Sequence, residues 1–167
     1  GIEQLYRDNR ITPIYEGTNS VQSIDLVFRK LVNKNGSVIN RYIKFVEKEI
    51  KKNKNQVKIK PFAKKLDDYL KITVNFTKWI KKNLKSFKND VSAACNDYLK
   101  VLGLIALAHS WLKVLDVSYK ELSKNKKFFE DKIETANFFF NRILPRIDFH
   151  YKSATSGSKY IMNFKFN

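Results

Sequence analysis

A chain of 167 residues with 43% hydrophobic and 14% aromatic side chains carries enough apolar material for one packed core and excludes disorder. Five Gly and three Pro disfavour a turn-rich all-β fold, while a single cysteine, Cys95, excludes an internal disulfide framework and, with only His109 and His150 beside it, argues against a metal site of nitrogen and sulfur ligands. The net charge is +17, from 33 Lys and Arg against 16 Asp and Glu, and because residues 1–30 are neutral overall the whole excess lies in residues 31–167.

Taken in chain order, the apolar spacing reads as helix after helix. Residues 2–8 look like the end of a helix that begins upstream. The chain opens on Gly1-Ile2-Glu3 without Met, as a processed product or a piece of a longer chain does. That opening lacks the basic-then-apolar order of a secretory signal, and a cytoplasmic location is the expectation. Ile11-Thr12-Pro13-Ile14-Tyr15 is extended or a turn, since Pro13 disfavours helix at Thr12. Glu16-Gly17-Thr18-Asn19 makes a tight connection. Asn19 as N-cap and Gln22 three residues on then form a capping box, and the helix that follows places Val21, Ile24, Phe28 and Leu31 on one stripe.

Asn33-Lys34-Asn35-Gly36 interrupts the pattern. Ser37 caps the next helix, with Ile39, Tyr42, Ile43, Val46 and Ile50 as its stripe, and residues 51–60 read as a basic polar linker. Pro61 suits the first turn of a helix that runs toward Lys85 on Leu66, Tyr69, Leu70, Thr73, Phe76 and Ile80. Asp90 caps a long helix over residues 91–122. Its middle keeps almost no polar face, as the central helix of a bundle would. His109, Ser110 and Lys113 interrupt residues 101–115, so no stretch is expected to span a membrane. A further helix over 127–144 uses Phe129, Ile133, Ala136, Phe140 and Leu144 and stops before Pro145. Residues 148–167 form a tail with turn chemistry at Ser156-Gly157-Ser158. The expected fold is all-α, an antiparallel bundle of four to five helices.

The charge would attract anionic partners at low salt. Lys, however, outnumbers Arg 27 to 6, whereas recognition of bases and phosphates favours the Arg fork. The lysines are also spread over several helices, so solvated helix faces are the preferred reading over a nucleic-acid surface. Cys95 reads as a small core residue. His109 reads as an interior or interface histidine, and Ser110 cannot pair with it as nucleophile and base, because adjacent helical residues point apart. Of Phe138, Phe139 and Phe140, two belong in the core and the third under another domain or subunit. Trp79 and Trp111 have spacing that suits packing rather than base stacking.

One segment carries chemistry: Tyr6-Arg7-Asp8-Asn9-Arg10-Ile11-Thr12-Pro13-Ile14-Tyr15-Glu16-Gly17-Thr18-Asn19-Ser20-Val21-Gln22. It puts the Glu16 carboxylate on a glycine-containing turn just ahead of a capped helix. Gly17 permits close approach by a ligand or backbone. The helix start offers unpaired N–H groups and a positive dipole end to an anionic or polar ligand. An acid beside that end is suited to act as a general base, although a solvated or capping Glu fits the same pattern.

This segment closely resembles the C-terminal helical region of acyl-CoA dehydrogenases, in which a Tyr-Glu-Gly-Thr turn follows an Arg-Asp-containing helix end. The resemblance is dense over residues 1 to about 32. The remainder is similar, more loosely, to the helical C-terminal extension of the longer-chain branch of that family, through Asp131-Lys132-Ile133-Glu134-Thr135-Ala136-Asn137-Phe138-Phe139-Phe140, Leu144-Pro145 and Ser156-Gly157-Ser158. It implies two domains: residues 1–32 as the end of the catalytic helical domain and 33–167 as the extension. It further implies that Glu16 removes the α-proton of a fatty acyl-CoA thioester in β-oxidation and that its backbone N–H polarises the thioester carbonyl. On the same resemblance Tyr15 lines the acyl site, Gly17 leaves room for the thioester arm, and Thr18, Asn19, Ser20 and Gln22 contact FAD. The implied partners are an acyl-CoA substrate, electron-transfer flavoprotein as electron acceptor, and further copies in a homo-oligomer.

The N-terminal helical and β-domains that complete the flavin site in that family are not among these residues. The expectation is a fragment that neither holds FAD nor catalyses by itself and needs those domains or a companion chain. Two readings compete with it: a non-catalytic helical interaction module, and a basic nucleic-acid-binding bundle.

Overall fold

The computed structural model describes residues 2–10, 19–32 and 36–163. Every regular element among the described residues is a helix. In chain order they are α1 (Ile2–Asn9), α2 (Asn19–Ile24) continuing into a π-helical segment (Asp25–Leu31), α3 (Ser37–Asn53), α4 (Lys60–Asn83), α5 (Lys88–Lys120), α6 (Lys126–Phe138) continuing into a π turn (Phe139–Ile143), α7 (Arg146–Thr155) and the short α8 (Lys159–Met162). Helices α3 to α7 make the bundle. Short connections at 54–59, 84–87 and 121–125 turn each helix back along the one before it, which is how antiparallel bundles arise.

The longest helix, α5, is the axis. The segments α2, α3, α4, α6 and α7 all pack against it. Val91, Cys95, Tyr98, Val101, Ile105, Ala108, Leu112 and Leu115 point inward along it at helical spacing. By length and composition α5 is apolar enough to cross a membrane, contrary to expectation. Its neighbours bury its inward stripe as they would that of a core helix, and a protein interior and a bilayer select the same side chains. Aromatic edges lock the layers around it. Phe76 of α4 meets Tyr98 of α5 and Tyr151 of α7 edge-on, with centroids 5.1 Å and 5.5 Å away. Phe62 meets Phe140 in the same way at 5.2 Å. Thr77 Oγ1 donates to the Thr73 carbonyl at 2.8 Å. The Tyr98 hydroxyl, 2.9 Å from Thr77 Oγ1, is therefore the donor of that pair.

Several local expectations need correction. The inward residues of α2 and its π continuation are Ser23, Val27 and Leu31, while Val21 and Ile24 are 60% and 46% exposed. Ser37 is the first helical residue and not the cap; Gly36, at φ 73°, precedes it in the left-handed region that glycine tolerates. Residues 51–53 belong to α3, and the segment read as a polar linker buries Asn53 and Ile59. Asp90 lies inside the first turn of α5 and does not cap it. Most of the supposed tail is helical, as α7 and α8. The π turn after α6 is closed by Leu144 N donating to the Phe139 carbonyl at 2.9 Å. It puts Phe139 and Phe140 in the core and leaves Phe138 58% exposed, as the Phe-Phe-Phe reading requires.

Candidate functional site

The connection carrying Tyr15, Glu16, Gly17 and Thr18 lies outside the described residues. So does the Ile11-to-Tyr15 stretch expected to be extended. The described part of the candidate site starts at Asn19. Asn19, Ser20 and Gln22 form the opening turn of α2, and all three are exposed. The opposite face anchors this turn: buried Ser23 donates its hydroxyl to the Ser20 carbonyl at 2.8 Å, and α2 packs against α5. Val27 and Leu31 carry the anchoring on into the common core. Fixed on one side and open on the other, the helix start presents its polar residues outward.

The helix on the other side of the connection is exposed throughout. In α1, Ile2, Leu5 and Tyr6 share a face at i, i+3 and i+4. Gln4 Nε2 donates to Asp8 Oδ1 at 2.7 Å across one turn. Both helices that bracket the Glu16 connection thus turn apolar side chains outward, Ile2, Leu5 and Tyr6 before it and Val21 and Ile24 after it. A flavin needs walls from several elements. Asn19, Ser20 and Gln22 have the right polar chemistry, but one exposed helix turn supplies a single wall.

Residues 39–165 match the family described as Acetyl-CoA dehydrogenase C-terminal like. The chain belongs to that family. A stretch of 46 residues, 28% of this chain, is also 44% identical to the 3-methylmercaptopropionyl-CoA dehydrogenase of Ruegeria pomeroyi, of which it covers 8%. The chain therefore spans far less than the length of that relative. The Acetyl-CoA dehydrogenase C-terminal-like region begins inside α3 and takes in the rest of the bundle, so the Glu16 connection precedes it in sequence.

Within this Acetyl-CoA dehydrogenase C-terminal-like bundle the reactive groups are occupied or buried. Burial pushes the Cys95 thiol up to about 11, and its Sγ faces the Val91 carbonyl at 3.2 Å, which suits packing and not nucleophilic chemistry. Ser110 donates to the Ala106 carbonyl at 3.0 Å. His109 is buried between the edges of Phe45 and Tyr42. Its burial and the nearby Lys113 charge, opposed by Glu49, hold the imidazole below its ordinary value. Two polar atoms at this spot, His109 Nε2 and the Tyr42 hydroxyl, find no hydrogen-bond partner among the described residues. Among the polar pairs that escaped the sequence reading, His150 Nδ1 lies 2.8 Å from Asp97 Oδ1. The two residues stand 53 positions apart on different helices, and no local pattern signals such a contact. Among the described residues no group of three or more His, Cys, Asp or Glu converges as metal ligands do.

Proposed function

We propose that the chain is the C-terminal part of an FAD-dependent acyl-CoA dehydrogenase and that Glu16 is its catalytic base. The observation that carries this reading is the Tyr15-Glu16-Gly17-Thr18 sequence ahead of α2, in a chain whose residues 39–165 belong to a dehydrogenase C-terminal family. The name of the Ruegeria relative, a dehydrogenase of a CoA thioester, supports acyl-CoA as the substrate class.

In this reading residues 1–32 complete the catalytic helical domain and 33–167 form the extension. Glu16 takes the α-proton of the thioester. Its own backbone N–H donates to the thioester carbonyl and stabilises the charge that builds there as the proton leaves. Tyr15 lines the acyl site, and Gly17 leaves space for the thioester arm. Thr18, Asn19, Ser20 and Gln22 would contact FAD, with α2 fixed on the bundle behind the last three. The bound flavin would accept the β-hydride, giving the enoyl-CoA. The remaining walls come from domains outside these residues or from a companion chain, and the apolar faces of α1 and α2 are where they would seat. The reaction belongs to fatty-acid β-oxidation in the cytoplasm, with electron-transfer flavoprotein taking the electrons and the enzyme working as a homo-oligomer.

The test uses the chain reconstituted with its missing domains. Glu16→Gln is expected to keep flavin and acyl-CoA bound while flavin bleaching by substrate falls by about 1,000-fold or more, as loss of a positioned base entails. Bleaching at the wild-type rate would place the base elsewhere.

A further inference from the structure

A groove between α5 and α7 has no part in the chemistry above. Lys100, Gly103 and Leu107 line it from α5, and Arg146, Phe149 and His150 line it from α7, around a volume of about 630 Å3. On α5 these positions fall at i, i+3 and i+7, and on α7 at i, i+3 and i+4. Helices present those spacings to a neighbour that lies along them. Leu107 is nevertheless 52% exposed and Phe149 67%.

Gly103 is an independent observation. It sits in the interior of the 33-residue helix α5, where glycine is less stable than alanine. A Cβ built on it meets nothing within 4 Å among the described residues. Packing among those residues therefore does not demand glycine there. A bare backbone at the floor of the groove lets a second backbone approach closely from outside, as small residues do where helices cross. The rim is cationic, with Lys100 and Arg146 both exposed. The neighbouring carboxylate, Asp97, is engaged with His150 Nδ1.

We propose that this groove receives an acidic amphipathic helix of a partner polypeptide, its small and apolar side chains over Gly103, Leu107 and Phe149 and its carboxylates on Lys100 and Arg146. Charge complementarity selects that occupant. A second copy of a +17 chain would bring like charge to the same rim. The open seam between two helices suits a third helix laid along it, read through i, i+3, i+4 and i+7 anchors. Neither Glu16 nor the flavin enters this inference.

The full chain, isotope-labelled, is titrated with two synthetic helical peptides of about 15 residues that share a Leu/Ala stripe and differ only in their flanks, Glu in one and Lys in the other. The acidic peptide is expected to bind about tenfold more tightly than the basic one and to shift the amide signals of Gly103, Leu107 and Phe149. Gly103→Leu should weaken it about tenfold without lowering the unfolding midpoint, because the added side chain fills only the groove. Lys100→Glu combined with Arg146→Glu should reverse the preference between the peptides. No binding, equal binding of the two peptides, shifts confined to other surfaces, or unchanged affinity in Gly103→Leu would each overturn the proposal. A dimer that forms with concentration and is lost in Gly103→Leu would assign the groove to a second copy and overturn it as well.

Discussion

Asp116 lies on the inner side of α5 with only 5% of its surface exposed, a costly place for a carboxylate. Three donors reach it: Lys120 Nζ at 2.8 Å, Lys52 Nζ at 2.9 Å and Gln56 Nε2 at 3.1 Å. Burial pushes its carboxyl up, but the hydrogen bonds from Lys120, Lys52 and Gln56 outweigh that push and hold it down at about 2. Because the folded value lies below the ordinary 3.8, the stabilisation is present above about pH 4 and is lost as the pH falls toward 2. Asp116→Asn is expected to cost about 1–3 kcal/mol at neutral pH, measured by urea unfolding. The gap from the wild-type chain should narrow from about pH 4 downward. A gap of constant size down to pH 2.5 would mean that packing, and not charge, was lost. Asp116 was invisible as a special residue in sequence, since Lys52 and Gln56 arrive from another helix and the turn after it, about sixty positions earlier. Cys95 was legible because helical spacing alone separates an inward position from an outward one; which of Phe138, Phe139 and Phe140 faces out depended on the π turn that follows α6.

At the scale of elements, the helix stripes of α3, α4 and α5 followed from the 3.6-residue period. The stripe of α2 held at Phe28 and Leu31 but not at Val21 and Ile24. Each residue of a helix turns by about 100°, so Val21 and Ile24 are centred about a third of a turn from Ser23 and Val27, and docking on α5 chose the second set. Ser23 gains a place in the core by bonding its hydroxyl to the Ser20 carbonyl, a device that hydropathy alone does not reveal. The C-terminal turn shows the same dependence on distant partners. Asp90 Oδ1 accepts from Ser158 N at 2.7 Å and from Ser158 Oγ at 2.6 Å. The Ser158 side-chain and backbone hydrogen bonds hold the Asp90 carboxyl below its ordinary value. Gly157, at φ 81°, bends the chain back to that carboxylate. Asp90→Ala is expected to raise amide exchange in Lys159–Met162 by about tenfold while leaving the α4 and α5 core amides protected. Equal acceleration in the core would show that the clasp supports the whole bundle and not its tail alone.

For the molecule as a whole, the +17 charge sits on lysines that reach solvent from every long helix. Many of the described carboxylates are engaged in i,i+3 and i,i+4 pairs such as Lys71–Asp67, Lys124–Glu121 and Lys127–Asp131. Such exposed pairs contribute little, so unscreened repulsion among the surplus cations opposes the folded state at low salt. Raising ionic strength from about 0.01 M to 0.3 M, where the screening length falls from about 30 Å to well under 10 Å, should raise the melting temperature by several degrees. An unchanged or lower melting temperature would show that the surface pairs outweigh the repulsion.

Composition and period by themselves determined that the chain is all-helical and that α5 is its apolar centre. Those properties are local, because the side-chain period is written in consecutive positions. Only the tertiary structure decided which face of α2 turns inward, that Asp90 and Asp116 serve distant donors, that Asp97 meets His150, and that α5 and α7 leave an open seam over Gly103. Each of these depends on where a second helix comes to rest, and burial and charge pairing across such a gap leave no period in the chain.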